Sequence, residues 1–207
     1  MGNYSVVVLD FETTGLSPDH GDRVIEVGAV LIENNRITDR FQSLMNPGMK
    51  ISSFIENYTG ITNGMLQDAP PVAEVMQKFA SFLADHPLVA HNAGFDRRFL
   101  DAELLRVRRR RVGDFACSML ISRRLYPEAP NHRLASLIRH KQIESTGVFH
   151  RALADAEMTG HLWVGMIRDL KDTYKIRNVP FNLMLRLSKV AKKAVPNFLE
   201  KFALDGG

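Results

Sequence analysis

The first apolar run of the chain reads YSVVVLDFETTG, from Tyr4 to Gly15. Its β-branched and apolar residues predict a buried strand. Asp10 and Glu12 stand two positions apart at the end of this strand, so their side chains project to the same face. Two carboxylates on one face of a core strand repel each other and resist burial unless a cation lies between them. The sequence therefore predicts a metal site at the end of the first strand.

The segments that follow predict an α/β domain with a mixed sheet. Two strand-like runs, Val24–Ile32 and Arg36–Leu44, flank Asn34-Asn35, a pair typical of a tight hairpin turn. Beyond them, short apolar strands alternate with helical patterns. We expect strands near 87–91 and 114–117, and helices near 72–84, 95–107, 118–125, 133–140 and 151–170.

The composition is that of an ordinary globular domain. The chain has 207 residues, of which 45% are hydrophobic and 24% charged, enough to form a sizeable core. Its one cysteine, Cys117, excludes an intramolecular disulfide framework and a thiolate zinc site. No apolar run is long enough to cross a bilayer. We therefore expect a cytoplasmic protein that makes no membrane contact.

Positive charge is concentrated near the end of the sequence. The net charge is +4, and residues 168–207 contain nine Lys or Arg against four Asp or Glu. A second basic cluster comprises Arg106 and the run Arg108–Arg111. This cluster could attract phosphate groups, or it could be the solvated end of a helix, where cations favour the helix dipole.

Two later segments carry further acids and histidines. In the segment HNAGFD, from His91 to Asp96, a short strand breaks into a helix, so Asp96 falls in the first turn of that helix. In the segment HRALAD, from His150 to Asp155, we expect His150 on the loop that leads into a long helix and Asp155 on the helix itself. A carboxylate can hold a metal while a neighbouring imidazole takes a proton from water. Taken alone, His150 could equally be a surface or capping residue.

Together, the three segments DFETTGL, HNAGFD and HRALAD resemble, in order, the three exonuclease motifs of the DEDDh 3′→5′ exonucleases. The resemblance spans roughly residues 4 to 168. It implies a ribonuclease H-like fold, in which helices flank a central five-stranded mixed sheet whose first three strands are antiparallel. We expect an exonuclease domain over residues 1–170 and a basic, helical C-terminal extension over residues 171–207.

The resemblance also implies a two-metal site. Two Mg²⁺ or Mn²⁺ ions would be held by four acids, namely Asp10, Glu12, Asp96 and Asp155, and His150 would be the general base. Ligands that are all oxygen atoms favour Mg²⁺ or Mn²⁺ over zinc. Two such ions, about 3.5 to 4 Å apart, stabilise both the attacking and the leaving oxygen of a phosphodiester.

Contacts to the substrate are implied by the same similarity. The turn formed by Thr13, Thr14 and Gly15 would contact the terminal nucleotide, Leu16 and Phe95 would pack on the end bases, and Asn92 would position the backbone. Stacking does not read sequence, which suits an enzyme that accepts every base. The alternatives are core packing for the two apolar residues and an ordinary turn for the threonines. Relatives often carry histidine where this chain has Thr59, so a histidine contact with substrate is in doubt there.

The basic extension is expected to be helical. Pro180 could start one helix with Met184, Leu187, Ala191 and Val195 on one side, and Pro196 could start another. Such an extension could pack on its own catalytic domain, join a homodimer or a protein partner, or lie along nucleic acid or membrane.

The sequence as a whole predicts a metal-dependent 3′→5′ exonuclease. It would act on the 3′ ends of single-stranded nucleic acid, with DNA the favoured substrate and RNA a possible one, and would release nucleoside 5′-monophosphates. One alternative is a noncatalytic module that kept the fold and binds nucleic acid or protein. Against it, a retired site has no need of acids that repel one another without metal. Another alternative is an endonuclease of the same general fold.

Overall fold

A computed structural model describes residues 4–144 and 151–205 of the chain. One five-stranded sheet has the strand order β3-β2-β1-β4-β5. The strands are β1 Val6–Thr13, β2 Val24–Glu33, β3 Arg36–Leu44, β4 Leu88–Ala90 and β5 Phe115–Cys117. The first three are antiparallel, and β4 and β5 run parallel to β1. The predicted mixed sheet is therefore confirmed.

Helices cover both faces of this sheet. In chain order they are α1 Ser53–Thr59, α2 Asn63–Gln67, α3 Val72–Leu83, α4 Gly94–Arg106, α5 Ser118–Leu125, α6 Leu134–His140, α7 Ala152–Tyr174, α8 Phe181–Leu187 and α9 Val195–Leu204. None of the helices in the described part of the chain is long and apolar enough to span a membrane.

The hairpin between β2 and β3 turns at the predicted pair. Asn34 and Asn35 both adopt left-handed backbone conformations, with φ of 52° and 61°. A two-residue turn with positive φ at both positions matches the twist of the flanking strands, and asparagine tolerates this conformation. The turn therefore fixes the register between β2 and β3.

The central strand β1 is buried on both faces, which explains its unbroken apolar run. Val6 and Val8 point into a core formed largely with α5, α7 and α8. Val7 and Leu9 point into the opposite core, formed with α3 and α4. α4 and α7 lie on opposite faces of the sheet. Their N-terminal turns therefore approach the end of β1 from two sides.

The C-terminal elements pack on this core. Leu183, Met184 and Leu199 are fully buried in the same cluster as the apolar face of α7. The predicted helix through Ala191 and Val195 is wrong, because α8 ends at Leu187 and Ala191 is exposed. The long helix also continues past 170 to Tyr174. The domain boundary at 170/171 stays a prediction.

Candidate active site

Three carboxylates meet at the end of β1. Asp10 and Glu12 project from the same face of the strand, and Asp155 lies in the first turn of α7. One carboxylate oxygen from each side chain lies within 4.8 Å of those of the other two. Oxygen ligands at such separations suit a hard divalent cation. These three residues could hold a metal ion.

Asp96 approaches the same place from the other side of the sheet. It lies in the first turn of α4 and is only 2% exposed. Burial raises the pKa of its carboxyl group to about 7, although hydrogen bonds from the backbone at Asp96 and Phe11 oppose the change. Its charge also acts on Asp10. The four predicted acids therefore converge, with Asp96 set slightly apart from the cluster of three.

The electrostatics of the site favour a cation. Burial, and then the charges of nearby acids, raise the pKa of Asp10 well above its usual range. Burial is also the main cause that raises the pKa of Glu12 to about 8, followed by the charge of Asp155. A carboxyl group with a pKa of about 8, like that of Glu12, holds its proton at neutral pH unless a cation takes the proton's place. A divalent ion would be such a cation.

The acids line one cavity of about 690 Å³. Every predicted site residue within the described part of the chain lines it as well. These residues are Asp10, Glu12, Thr13, Thr14, Gly15, Leu16, Asn92, Phe95, Asp96 and Asp155. His150 lies outside the described residues, so its predicted place beside these acids stays a prediction. The roles assigned to the individual side chains also stay predictions.

The turn after β1 is held by its own hydrogen bonds. The Thr13 hydroxyl donates to the Gly15 carbonyl at 2.6 Å, and the Thr14 hydroxyl donates to Asp22 at 3.1 Å. A Cβ atom at Gly15 would lie 2.4 Å from an oxygen of the Asp22 carboxylate, so a larger residue would force the Asp22 side chain to shift. The alternative of an ordinary turn role for the threonines therefore has structural support, although both residues also line the cavity.

The two apolar residues predicted to contact bases differ in burial. Leu16 is 78% exposed, so core packing is the wrong interpretation for it. Phe95 is half-buried and packs on Phe99, with ring centroids 4.9 Å apart. Asn92 is exposed and adopts a left-handed conformation with φ of 71°. The turn at Asn92 leads into the helix that carries Asp96.

Two aromatic residues that the sequence analysis did not single out line the same cavity. Phe54 and Tyr58 of α1 are 71% and 53% exposed. Their rings stack with centroids 6.0 Å apart and an interplanar angle of 10°. Their spacing of four residues, which places both on one helix face, was the available sequence signal. The neighbouring Thr59 is buried, and its hydroxyl donates to the Ile55 carbonyl at 2.8 Å.

His91, at the start of the second motif, is held by hydrogen bonds to the surrounding structure. Its Nε2 lies 2.9 Å from the carbonyl oxygen of His132, so Nε2 carries the proton and donates. Its Nδ1 then accepts from the Ser118 hydroxyl at 2.9 Å. Burial lowers the pKa of His91 to about 4, which keeps the ring neutral. The ring joins β4 to α5 and to the loop before α6.

Comparisons with known proteins agree with this geometry. The Exonuclease family model, RNase_T, matches residues 7–162. The DNA polymerase III PolC-type of Bacillus cereus is 44% identical over 165 residues, which cover 79% of this chain and 11% of that protein. The corresponding protein of Staphylococcus aureus is 35% identical over 192 residues, covering 92% of this chain and 13% of that protein. The chain thus spans about a tenth of the length of these relatives.

Solved structures show the same fold. Exonuclease X in complex with 5′ overhanging duplex DNA superposes with a TM-score of 0.70 at 24% identity, covering 88% of this chain and 99% of that one. The nuclease domain of 3′hExo, a DEDDh family member bound to rAMP, gives a TM-score of 0.68 at 21% identity, covering 81% and 94%. The match to the family model over residues 7–162 shows that the chain belongs to the exonuclease family, and its three motifs are those by which it resembles the DEDDh group of that family.

Proposed function

We propose that the chain removes nucleotides one at a time from the 3′ end of single-stranded DNA, and releases nucleoside 5′-monophosphates. The observation that carries this proposal is the meeting of Asp10, Glu12 and Asp155 within 4.8 Å in a cavity that Asp96 also lines. A charge cluster of this kind lowers stability unless it binds something positive.

The proposed cofactors are two divalent ions, Mg²⁺ or Mn²⁺. We assign them to the four acids, Asp10, Glu12, Asp96 and Asp155, which would hold them at the end of β1. When bound, the pair would lower the pKa of a water molecule and neutralise charge on the attacking and leaving oxygens. The donor set contains only carboxylate oxygens, which supports these metals over zinc.

His150 is the proposed general base. The chain places it one residue before Arg151, which precedes the first turn of α7. An imidazole is half protonated near neutral pH, so it can accept a proton from the attacking water and pass it to solvent. Asp155 would act from the same helix start, so a single element would carry a metal ligand and sit next to the base.

The proposed substrate contacts use the exposed apolar rim of the cavity. Leu16, Phe54 and Tyr58 present apolar or aromatic surface beside the acids. Unpaired bases of any identity can stack on such surfaces. This favours a single strand over a duplex as the substrate. The DNA preference is supported by the PolC-type relatives, which are DNA polymerases by name. A contact between the C-terminal extension and a second copy or a protein partner stays a prediction.

The test is degradation of strands labelled at the 5′ end, in DNA and RNA versions, with Mg²⁺ present. A ladder that shortens by one nucleotide from the 3′ end, faster on DNA, is expected. Internal cuts would favour an endonuclease, and binding without cleavage would favour a noncatalytic module. Either result would contradict the proposal, whereas a faster RNA ladder would overturn only the DNA preference.

A further inference from the structure

Glu26 is a fully buried acid to which the sequence analysis gave no role. It lies on β2 directly across from Glu12, because the two residues are partners in the antiparallel register. A buried carboxylate beside a second one is costly unless it is paired and hydrogen-bonded. The partners of Glu26 therefore indicate why it is there.

Those partners lie mainly at the start of α7. Arg151 donates from Nη2 to Glu26 Oε1 at 2.8 Å and from Nε to Oε2 at 3.2 Å. The backbone N–H of Ala152, the first residue of α7, donates to Oε2 at 3.1 Å. Gln42 of β3 donates to Oε1 at 3.0 Å. Both carboxylate oxygens are thus engaged in holding the helix start to the sheet.

This anchor is connected to the metal-site acid on the same helix. The Asp155 N–H donates to the Arg151 carbonyl at 3.0 Å, so the anchored residue and Asp155 belong to one hydrogen-bonded turn. Gly28, two residues after Glu26 and on the same face of β2, makes room for this turn. A Cβ atom at Gly28 would lie 2.0 Å from the Leu153 nitrogen. The first turn of α7 therefore lies in close contact with β2 and is held there by the hydrogen bonds of Glu26.

We propose that Glu26 is a positioning residue that docks the start of α7 through Arg151 and Ala152 and so sets Asp155 at the metal site. This inference rests on the proposed function of that site. Glu26 itself is not part of the group of three carboxylates that could hold a metal, within the residues that the structure describes. Residues that support metal ligands in this way typically change metal affinity or activity by about 10- to 100-fold when mutated.

The variants that test the proposal are Glu26→Gln, Arg151→Ala and Arg151→Lys. Glutamine keeps the shape of Glu26, and the Arg151 side chain is 38% exposed, so we expect these variants to fold. The matched control is Arg40→Ala, which removes another ion pair to α7. Arg40 Nε lies 2.6 Å from Glu157, only two residues after Asp155, but that pair is at the surface.

The first measurement is Mn²⁺ affinity by calorimetry, together with kcat and KM on a single strand. Glu26→Gln and Arg151→Ala should weaken Mn²⁺ binding and lower kcat about 10- to 100-fold with KM unchanged. Arg151→Lys should recover part of the loss, and Arg40→Ala should match the parent. An increase in KM alone would make Arg151 a substrate contact and would overturn the proposal. Unchanged affinity would overturn it as well.

The second measurement is amide hydrogen exchange in the metal-free protein. Residues 152–156 should exchange at least about tenfold faster in Glu26→Gln and Arg151→Ala than in the parent or in Arg40→Ala. This result does not depend on activity. A parent that bound no Mn²⁺ would refute the proposed function, whereas unchanged exchange in the anchor variants would refute the anchor itself.

Discussion

At the scale of single residues, the site depends on closely placed acids, and burial raises the pKa of three of them, Asp10, Glu12 and Asp96. Asp10 and Glu12 are brought side by side by strand geometry alone, which is why the sequence identifies them. Asp96 and Asp155 join them from opposite faces of the sheet. Besides burial, the charges of the neighbouring acids disfavour ionisation of Asp10 and Glu12, so the folded protein without metal carries strain that a divalent cation would relieve.

The first prediction at this scale concerns His150. The substitution His150→Ala should lower kcat by about 10²- to 10⁴-fold, because the attacking water would lose its base. KM and Mn²⁺ affinity should be unchanged. The comparison variant is Asp19→Asn, an exposed acid just beyond the first motif, which should behave as the parent. A His150→Ala protein with full turnover would remove histidine from the proposed chemistry.

The second prediction concerns the pH dependence of stability without metal. The pKa of Glu12 is about 8 in the folded chain against 4.5 ordinarily, so between these values the folded state binds more protons than the unfolded state. The free energy of unfolding should therefore fall, by on the order of a few kcal/mol, as pH rises through this window. Urea unfolding at a series of pH values, with a chelator present to remove metal, measures this free energy. Saturating Mn²⁺ should flatten the slope, and a flat metal-free profile would contradict the electrostatic account.

The residues that the sequence did not reveal depend on distant contacts. Glu26 is recognisable only from its bonds to Arg151, which is 125 positions away along the chain. Phe54 and Tyr58 resemble ordinary surface aromatics until α1 is seen beside β1 and α4. Motif spacing identifies residues that are local to one element, whereas supporting and rim residues are defined by how the elements meet.

At the scale of elements, the site depends on how closely α7 approaches β2. The N-terminal turn of α7 crosses Gly28 with no space for a side chain. Gly28 is also the cross-strand partner of Asp10. Sequence patterns predict both elements. The periodicity of apolar residues indicates that a helix forms, but it does not predict how closely that helix packs against a strand.

Substitution of Gly28 tests this close approach. Gly28→Ala would place a methyl group against backbone atoms, so it should cost about 1–3 kcal/mol of stability or more and lower Mn²⁺ affinity. The control is Gly165→Ala in α7, where a Cβ atom meets nothing within 4 Å. That change should be neutral or should stabilise by roughly 0.5–1 kcal/mol. Chemical denaturation compares them, and equal stabilities would contradict the packing described.

At the scale of the whole molecule, the basic C-terminal extension is also part of the hydrophobic core. Its apolar side chains pack against the face of α7 that is turned away from solvent, while its lysines from Lys175 onward are exposed. The sequence indicated helices with an apolar side. It left open what covers that side, because helical periodicity identifies an apolar face but not the surface against which the face packs. Packing on the chain's own domain is the arrangement that the structure describes.

The energetic importance of this packing can be measured at Leu199 of α9. Leu199 is fully buried, so Leu199→Ala should lower the free energy of unfolding by about 2–5 kcal/mol. Leu204 lies on the same helix but is 87% exposed, and Leu204→Ala should change stability by less than about 0.5 kcal/mol. Thermal unfolding distinguishes them. Matching melting temperatures for the two variants would mean that α9 does not contribute to the core.

The central claim is that distant acids form one site for a pair of divalent cations. Calorimetric titration of the metal-free protein with Mn²⁺ tests it most directly, with Asp10→Asn as the comparison. The account predicts uptake of two ions per chain by the parent. In Asp10→Asn, which loses one carboxylate of the group of three, binding should be lost or weakened by orders of magnitude. Absence of Mn²⁺ uptake by the parent, or identical uptake by the variant, would contradict the account.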